Sequence, residues 1–197
     1  MADNTWVIKS NLNNIYLDRA FGKPAQIKSQ ALKLVQELFG LFGPGAKIFV
    51  DTPPQLSVMG QSFVCAIGQL QGTGHLLIPV RPDIFGLKGA RICLTEAYEA
   101  LEAFGIGNKN LNATVFLSSL DQRTKTSVKT LTTLSRDELL SEYLSPIAIR
   151  HSAEVTKASY RYGSVFNDYK NASTIGADYT DLLLTTLGWE PEGGEHG

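Results

Sequence analysis

Cysteine, histidine and methionine are scarce in this chain of 197 residues, which holds two Cys, three His and two Met. Cys65 and Cys93 are too few for a disulfide scaffold or a metal site built from thiolates. His75, His151 and His196 lie far apart, and no His, Asp or Glu cluster has metal-ligand spacing, so no metal or other cofactor is expected. No apolar run approaches the roughly 20 residues that a membrane helix needs, and no membrane partner is expected either. The first residues, M-A-D-N-T-W-V-I-K-S, lack a basic segment followed by an apolar one. That points away from secretion, to a soluble protein of the cytoplasm or of a virion. Net charge is -1, from 18 basic and 19 acidic residues, and bulk charge therefore selects no partner.

The hydrophobic content, 43%, is ordinary for a chain that buries a real core. Charge is uneven along the chain. Residues 1–50 hold six Lys or Arg against three acids, and the stretch from Gly163 onward holds Lys170 against six acids. A basic head and an acidic tail can meet between subunits, which makes self-association an expectation; solvated ends are the simpler account.

Turn residues and periodicity outline the elements. T-W-V-I-K-S and N-I-Y-L-D-R read as short strands. Pro24 then opens a helix whose apolar face runs Ile27, Ala31, Leu34, Val35, Leu38, Leu41 and Phe42, and Gly43-Pro44-Gly45 ends it. A-K-I-F-V-D, S-F-V-C-A-I-G-Q-L and H-L-L-I-P-V-R have the length and apolarity of strands, with 71–74 as a hairpin loop between the last two. Pro79 marks the third of these as an edge strand or the site of a bulge. Thr95 suits the cap of a short helix closing near Gly105. N-A-T-V-F-L-S-S and S-V-K-T-L-T-T-L resume strand character. Ser135 to Glu138 fits a capping box, Ser145-Pro146 a second helix start, and Thr180 to Leu187 a last helix stopped by Gly188.

The expected fold class is α+β: a mixed or antiparallel β-rich body with two flanking helices, followed by a helical C-terminal third. The expected division is a body over 1–134, a helical subdomain over 135–188 and a disordered acidic tail over 189–197.

K-A-S-Y-R-Y-G-S-V-F-N-D-Y, at 157–169, interleaves cations with aromatics. Ala148, His151, Val155, Ala158, Tyr162, Val165 and Tyr169 step by three and four, the spacing of one helix face, which places the aromatics in a core. The opposite face carries Arg150, Glu154, Lys157, Arg161, Ser164 and Asp168. Its plain interpretation is a solvated, self-neutralised surface. Its functional interpretation is a nucleic-acid contact in which Arg150, Lys157 and Arg161 meet phosphates and Tyr160 stacks on a base.

Candidate catalytic groups are few. Cys93, just before the expected Thr95 cap, with His75 as base and Asp51 as orienting carboxylate, is one possible nucleophilic set; burial of the thiol is the commoner case. Cys65, inside F-V-C-A-I, belongs to the core. G-P-G-A-K and Q-G-T-G-H lack the order and spacing of phosphate loops. Abundant Ser, Thr and Asn with scarce His, Met and Cys then favour a non-enzymatic structural or assembly subunit. Its most specific form is a viral or phage coat or nucleocapsid-like protein contacting nucleic acid. The rivals are a small cytoplasmic enzyme with a Cys-His site and a protein-binding adaptor.

Overall fold

The computed structural model describes residues 24–43, 45–52, 57–70, 74–107, 111–121, 123–153, 155 and 172–188. Helix and strand are mixed, with five α-helices and a two-stranded parallel sheet among those residues. The chain divides into two units, Met1–Gly74 with Ala97–Asn110, and His75–Glu96 with Leu111–Gly197.

In the first unit, helix α1 (Pro24–Phe42) starts on a proline whose fixed φ suits a first helical turn. It buries Ala31 and Val35, one turn apart. Gly43, at φ +89, ends it with its N–H bonded to the Phe39 carbonyl, a left-handed turn that glycine makes at no steric cost. Helix α2 (Val58–Gln69) packs against α1 and begins at Ser57, whose hydroxyl accepts from the Gly60 N–H. Small residues make that packing close: Gly60, Ser62, Ala66 and Gly68 are all buried. Ser62 Oγ accepts from the Ala31 N–H at 3.1 Å, and Gln69 Nε2 donates to the Lys28 carbonyl at 3.1 Å. A β-carbon on Gly68 would lie 2.8 Å from side-chain atoms of both Leu101 and Ile106.

The second unit holds the sheet. Strand β1 (Leu76–Val80) pairs in parallel with β2 (Ala113–Leu117), from Leu76↔Ala113 to Val80↔Leu117. Helix α3 (Ile84–Ala103) lies between them in the chain, as a parallel pair requires of its connection. Helix α4 (Lys125–Ser135) follows β2, and a 3-10 turn, η1 (Leu140–Tyr143), follows α4. The other edge of β2 is used as well. The Val115 and Leu117 carbonyls accept from Ser145 and Ile149, Leu120 bonds through both its N–H and its carbonyl to Ile149 and His151, and the two bridges, Val115↔Leu144 and Leu120↔Arg150, are parallel. Residues 144–151 thus run beside β2 as a third, strand-like parallel segment.

Ile78, Val80, Val115 and Leu117 share one sheet face and are buried. The other face carries Leu77 and Phe116. There Phe116 and Ile149 pack with Ile175 and Leu182 of helix α5 (Ala172–Leu187), with Leu77, Ile147, Val155 and Tyr179 around them. Gly188 closes α5 at φ +59.

Several sequence expectations are corrected. Residues 62–70 are helical, because a helix buried on most sides reads as a continuous apolar run and periodicity alone cannot separate it from a strand. Residues 127–134 are also helical. The β-branched Thr132 and Thr133 are accommodated there by donating to the Val128 and Lys129 carbonyls, one turn back. Residues 46–51 form no strand. Thr95 lies inside α3 rather than capping it; the cap is Asp83, whose Oδ1 accepts from the Gly86 N–H at 2.7 Å. Ser135 ends α4, and Asp137 takes the capping role by accepting from Leu139 and Leu140. Ser145-Pro146 starts no helix: Ser145 Oγ caps the Ile147 N–H and the chain continues extended beside β2. The body is therefore not β-rich, and its one described sheet is parallel. The expected strands at 5–10 and 14–19, the hairpin loop residues 71–73 and the tail at 189–197 lie outside the described residues.

A serine–histidine pair at the carboxyl edge of the parallel segments

Each of the three parallel segments in the second unit delivers its carboxyl end to one open cleft of about 750 Å3. Arg81, Pro82 and Asp83 follow β1, Ser118 and Ser119 follow β2, and His151 follows the 144–150 segment. Asp121, Thr124, Thr126 and Ser127 complete the lining around the start of α4. The carboxyl edge of a parallel sheet is where such folds bind ligands, since the loops and helix N-termini gather there.

Ser119 is the one non-glycine residue among those described with a positive φ, +60. Left-handed backbone costs an L-residue about 1–2 kcal/mol, and such strain persists where the surrounding structure enforces it. Here the next residue is fixed to the 144–151 segment by both of its backbone groups, the Leu120 N–H donating to the Ile149 carbonyl and the Leu120 carbonyl accepting the His151 N–H, at 2.9 Å each. The result presents the Ser119 hydroxyl at the sheet edge, 2.8 Å from His151 Nδ1. Both residues are exposed to solvent. In the tautomer with its proton on Nε2, His151 accepts the serine proton at Nδ1.

The carboxylates nearby are engaged. Asp121 binds Arg123 through both oxygens, at 2.9 and 3.0 Å. The hydrogen bonds from Arg123, with smaller pulls from its charge and from His151, hold the Asp121 carboxyl down at about 2. Asp121 thus stands on the cleft as one half of a closed ion pair with Arg123. Thr124 caps α4 by accepting from the Ser127 N–H, which turns the positive end of that helix dipole towards the same space.

The expected Cys93–His75–Asp51 set is not supported as an activated site. Cys93 lies in the interior of α3, away from any helix-end N–H, and burial, with Glu96 beside it, pushes its thiol up rather than down. His75 bonds Thr114 Oγ1 at 2.9 Å, and burial lowers its pKa. Asp51 belongs to the first unit. Cys65 is fully buried as expected, its thiol raised to about 11 by burial against the lowering pull of Lys28.

Of the four residues assigned to a nucleic-acid face, Lys157, Tyr160 and Arg161 lie outside the described residues. Arg150 is not on a helix: it sits in the extended segment beside β2, with its guanidinium on Asp178 at 2.6 Å. His151, expected on an apolar helix face, is exposed at the cleft. Sequence inspection missed Ser119 altogether. The available signal was a Ser-Ser pair directly after the strand A-T-V-F-L and ahead of a capped helix. Among the described residues no cluster of three His, Cys, Asp or Glu is placed to hold a metal ion, and no helix is long and apolar enough to cross a membrane.

No protein-family model matches this chain, and no curated protein matches it.

Proposed function

We propose that the second unit carries a small-molecule enzyme site that works by nucleophilic acyl transfer or hydrolysis, with Ser119 as nucleophile and His151 as general base. The 2.8 Å contact between Ser119 Oγ and His151 Nδ1, at the carboxyl edge of the parallel segments, is the observation that carries this reading. His151 takes the hydroxyl proton as Oγ bonds to the substrate carbonyl carbon, then returns it to the departing alcohol or amine. Water next attacks the acyl-serine, giving its proton to His151, and the acid leaves as Ser119 recovers its hydrogen. Asp121 and the first turn of α4 line the same cleft, and a helix N-terminus favours developing oxyanion charge.

Covalent labelling with a fluorophosphonate tests the assignment. Modification of Ser119, located by peptide mass spectrometry and lost in Ser119→Ala and His151→Ala but kept in Ser135→Ala, is the expected outcome. An unmodified wild-type protein sinks the proposal. Assembly on nucleic acid rests on composition and end charges, and on a cationic stripe from which Asp178 withdraws Arg150. Light scattering across a sizing column, with absorbance at 260 and 280 nm, tests that alternative: a large species that shrinks on nuclease treatment would favour it.

A further inference from the structure

We infer that Asp178 is a positioning residue for His151, acting through the Arg150 peptide; the inference rests on the reading of Ser119 and His151 as a reacting pair. In a parallel ladder, alternate residues turn their N–H and carbonyl groups to opposite sides. Ile149 uses both of its groups on the chain of β2 and its exit, through Leu117 and Leu120. Arg150 N–H therefore faces the far edge of the 144–151 segment, where a strand would leave it unpaired.

Asp178 fills that position from helix α5. Its Oδ2 accepts the Arg150 N–H at 3.0 Å and Nε at 2.9 Å, while Oδ1 accepts Nη2 at 2.6 Å. Arg150 Nη2 also donates to the Thr174 carbonyl, so the side chain is tied to α5 twice. Asp178 is 8% exposed, and α5 is itself anchored on the sheet by Ile175 and Leu182. The carboxylate thus holds main chain and side chain of Arg150 together against a fixed helix. One residue later, the His151 N–H bonds the Leu120 carbonyl on the opposite side. Clamped from both edges, the peptide running into His151 has one course, and that course sets where the imidazole meets Ser119.

A role confined to stability would make the ion pair the essential element, whereas a positioning role makes the reach of the oxygen to the Arg150 N–H essential. Two variants separate these. Asp178→Asn keeps an acceptor at the same reach without the charge; Asp178→Glu keeps the charge and moves the carboxylate outward by one methylene. We measure fluorophosphonate labelling rates on the folded fraction, and in parallel the 15N signals and pH titration of the His151 ring. The expected result is labelling within about threefold of wild type for Asn and a loss of about tenfold or more for Glu, since small misplacements of a reacting group are costly. His151 ring signals should move in Asp178→Glu towards those of Ser119→Ala. Equal labelling in both variants with an unmoved His151 spectrum would overturn the inference, as would a loss that merely tracks the fraction unfolded. A wild-type protein that never labels defeats the catalytic reading, and the ring spectra then decide the positioning by themselves.

Discussion

Gly86 sits directly over the Arg81 carbonyl: a β-carbon on it would lie 2.3 Å from that oxygen and 2.9 Å from the Arg81 nitrogen. The first turn of α3 folds back onto the exit of β1 there, held by Asp83, whose N–H reaches the Arg81 carbonyl while its carboxylate takes the Gly86 N–H. Backbone cannot give way as a flexible side chain can. Gly86→Ala should therefore cost about 1–3 kcal/mol by overpacking. Gly89, one turn further along and with open space around its Cα, should respond in the opposite sense. Gly89→Ala should gain about 0.5–1 kcal/mol from helix propensity. Urea unfolding of both variants checks the pair of signs, and a stabilised Gly86→Ala would refute the close approach.

Asp137 takes the capping role that the sequence assigned to Ser135 and adds an ion pair to it. Its Oδ1 accepts from Leu139 and Leu140, and its Oδ2 meets Arg91 Nη2 of α3 at 2.8 Å. Asp137→Ala loses both jobs and should cost about 1–2 kcal/mol, as lost caps do. Arg91→Ala loses only a half-exposed ion pair and should cost less than about 1 kcal/mol. Burial raises the Asp137 pKa, but the Arg91 bond, the two N–H bonds and the Arg91 charge outweigh it, and the carboxyl lies below its ordinary value. Its stabilisation is complete above an unfolded pKa of about 3.9 and is lost as pH falls through the folded value. Urea midpoints of wild type and Asp137→Ala should differ at pH 7 and converge in strong acid.

His75 gives a pH dependence in a different window. Burial lowers its pKa, while its Nε2 bonds the buried Thr114 hydroxyl. The unfolded chain takes up the proton at about pH 6.5, before the folded one does. The contribution of His75 is thus complete above that pH and is lost as pH falls through the folded value. His75→Gln should be less sensitive than wild type to acidification from pH 7 to 5, read as the shift in urea midpoint. Equal shifts would show that His75 does not carry the effect.

The elements legible in the sequence are those whose signals are local. Pro24 and Gly43 bound α1, Gly188 stops α5, and β1 and β2 follow from short apolar runs with β-branched residues. Helix α2 was illegible because small residues that let helices approach, Gly60, Ser62, Ala66 and Gly68, blur the helical period. Helix α4 reads as a strand through its threonines, two of which turn their hydroxyls onto carbonyls one turn back. The Ser119–His151 pair spans 32 residues and forms only because residues 144–151 align with β2. That alignment is tertiary: buried Ile149 and the Asp178 clamp hold it, and no spacing along the chain announces either.

Stability and chemistry should part company at Ser119. Its φ of +60 strains any residue that bears a β-carbon, while glycine takes it freely. The hydroxyl contact with His151 is exposed, so its loss should change stability little. Ser119→Gly is then expected to be about 0.5–1 kcal/mol more stable than wild type after the added entropy of the unfolded glycine is counted. Ser119→Ala retains the strain and should unfold close to wild type. Both variants lack the nucleophile and should resist fluorophosphonate equally. A glycine variant that is less stable than the alanine one would mean that the surrounding structure favours the serine side chain itself, and the site would have to be read as structural. The expected order, glycine above alanine in stability and neither of them labelled, is that of a backbone held under strain to present a reacting hydroxyl.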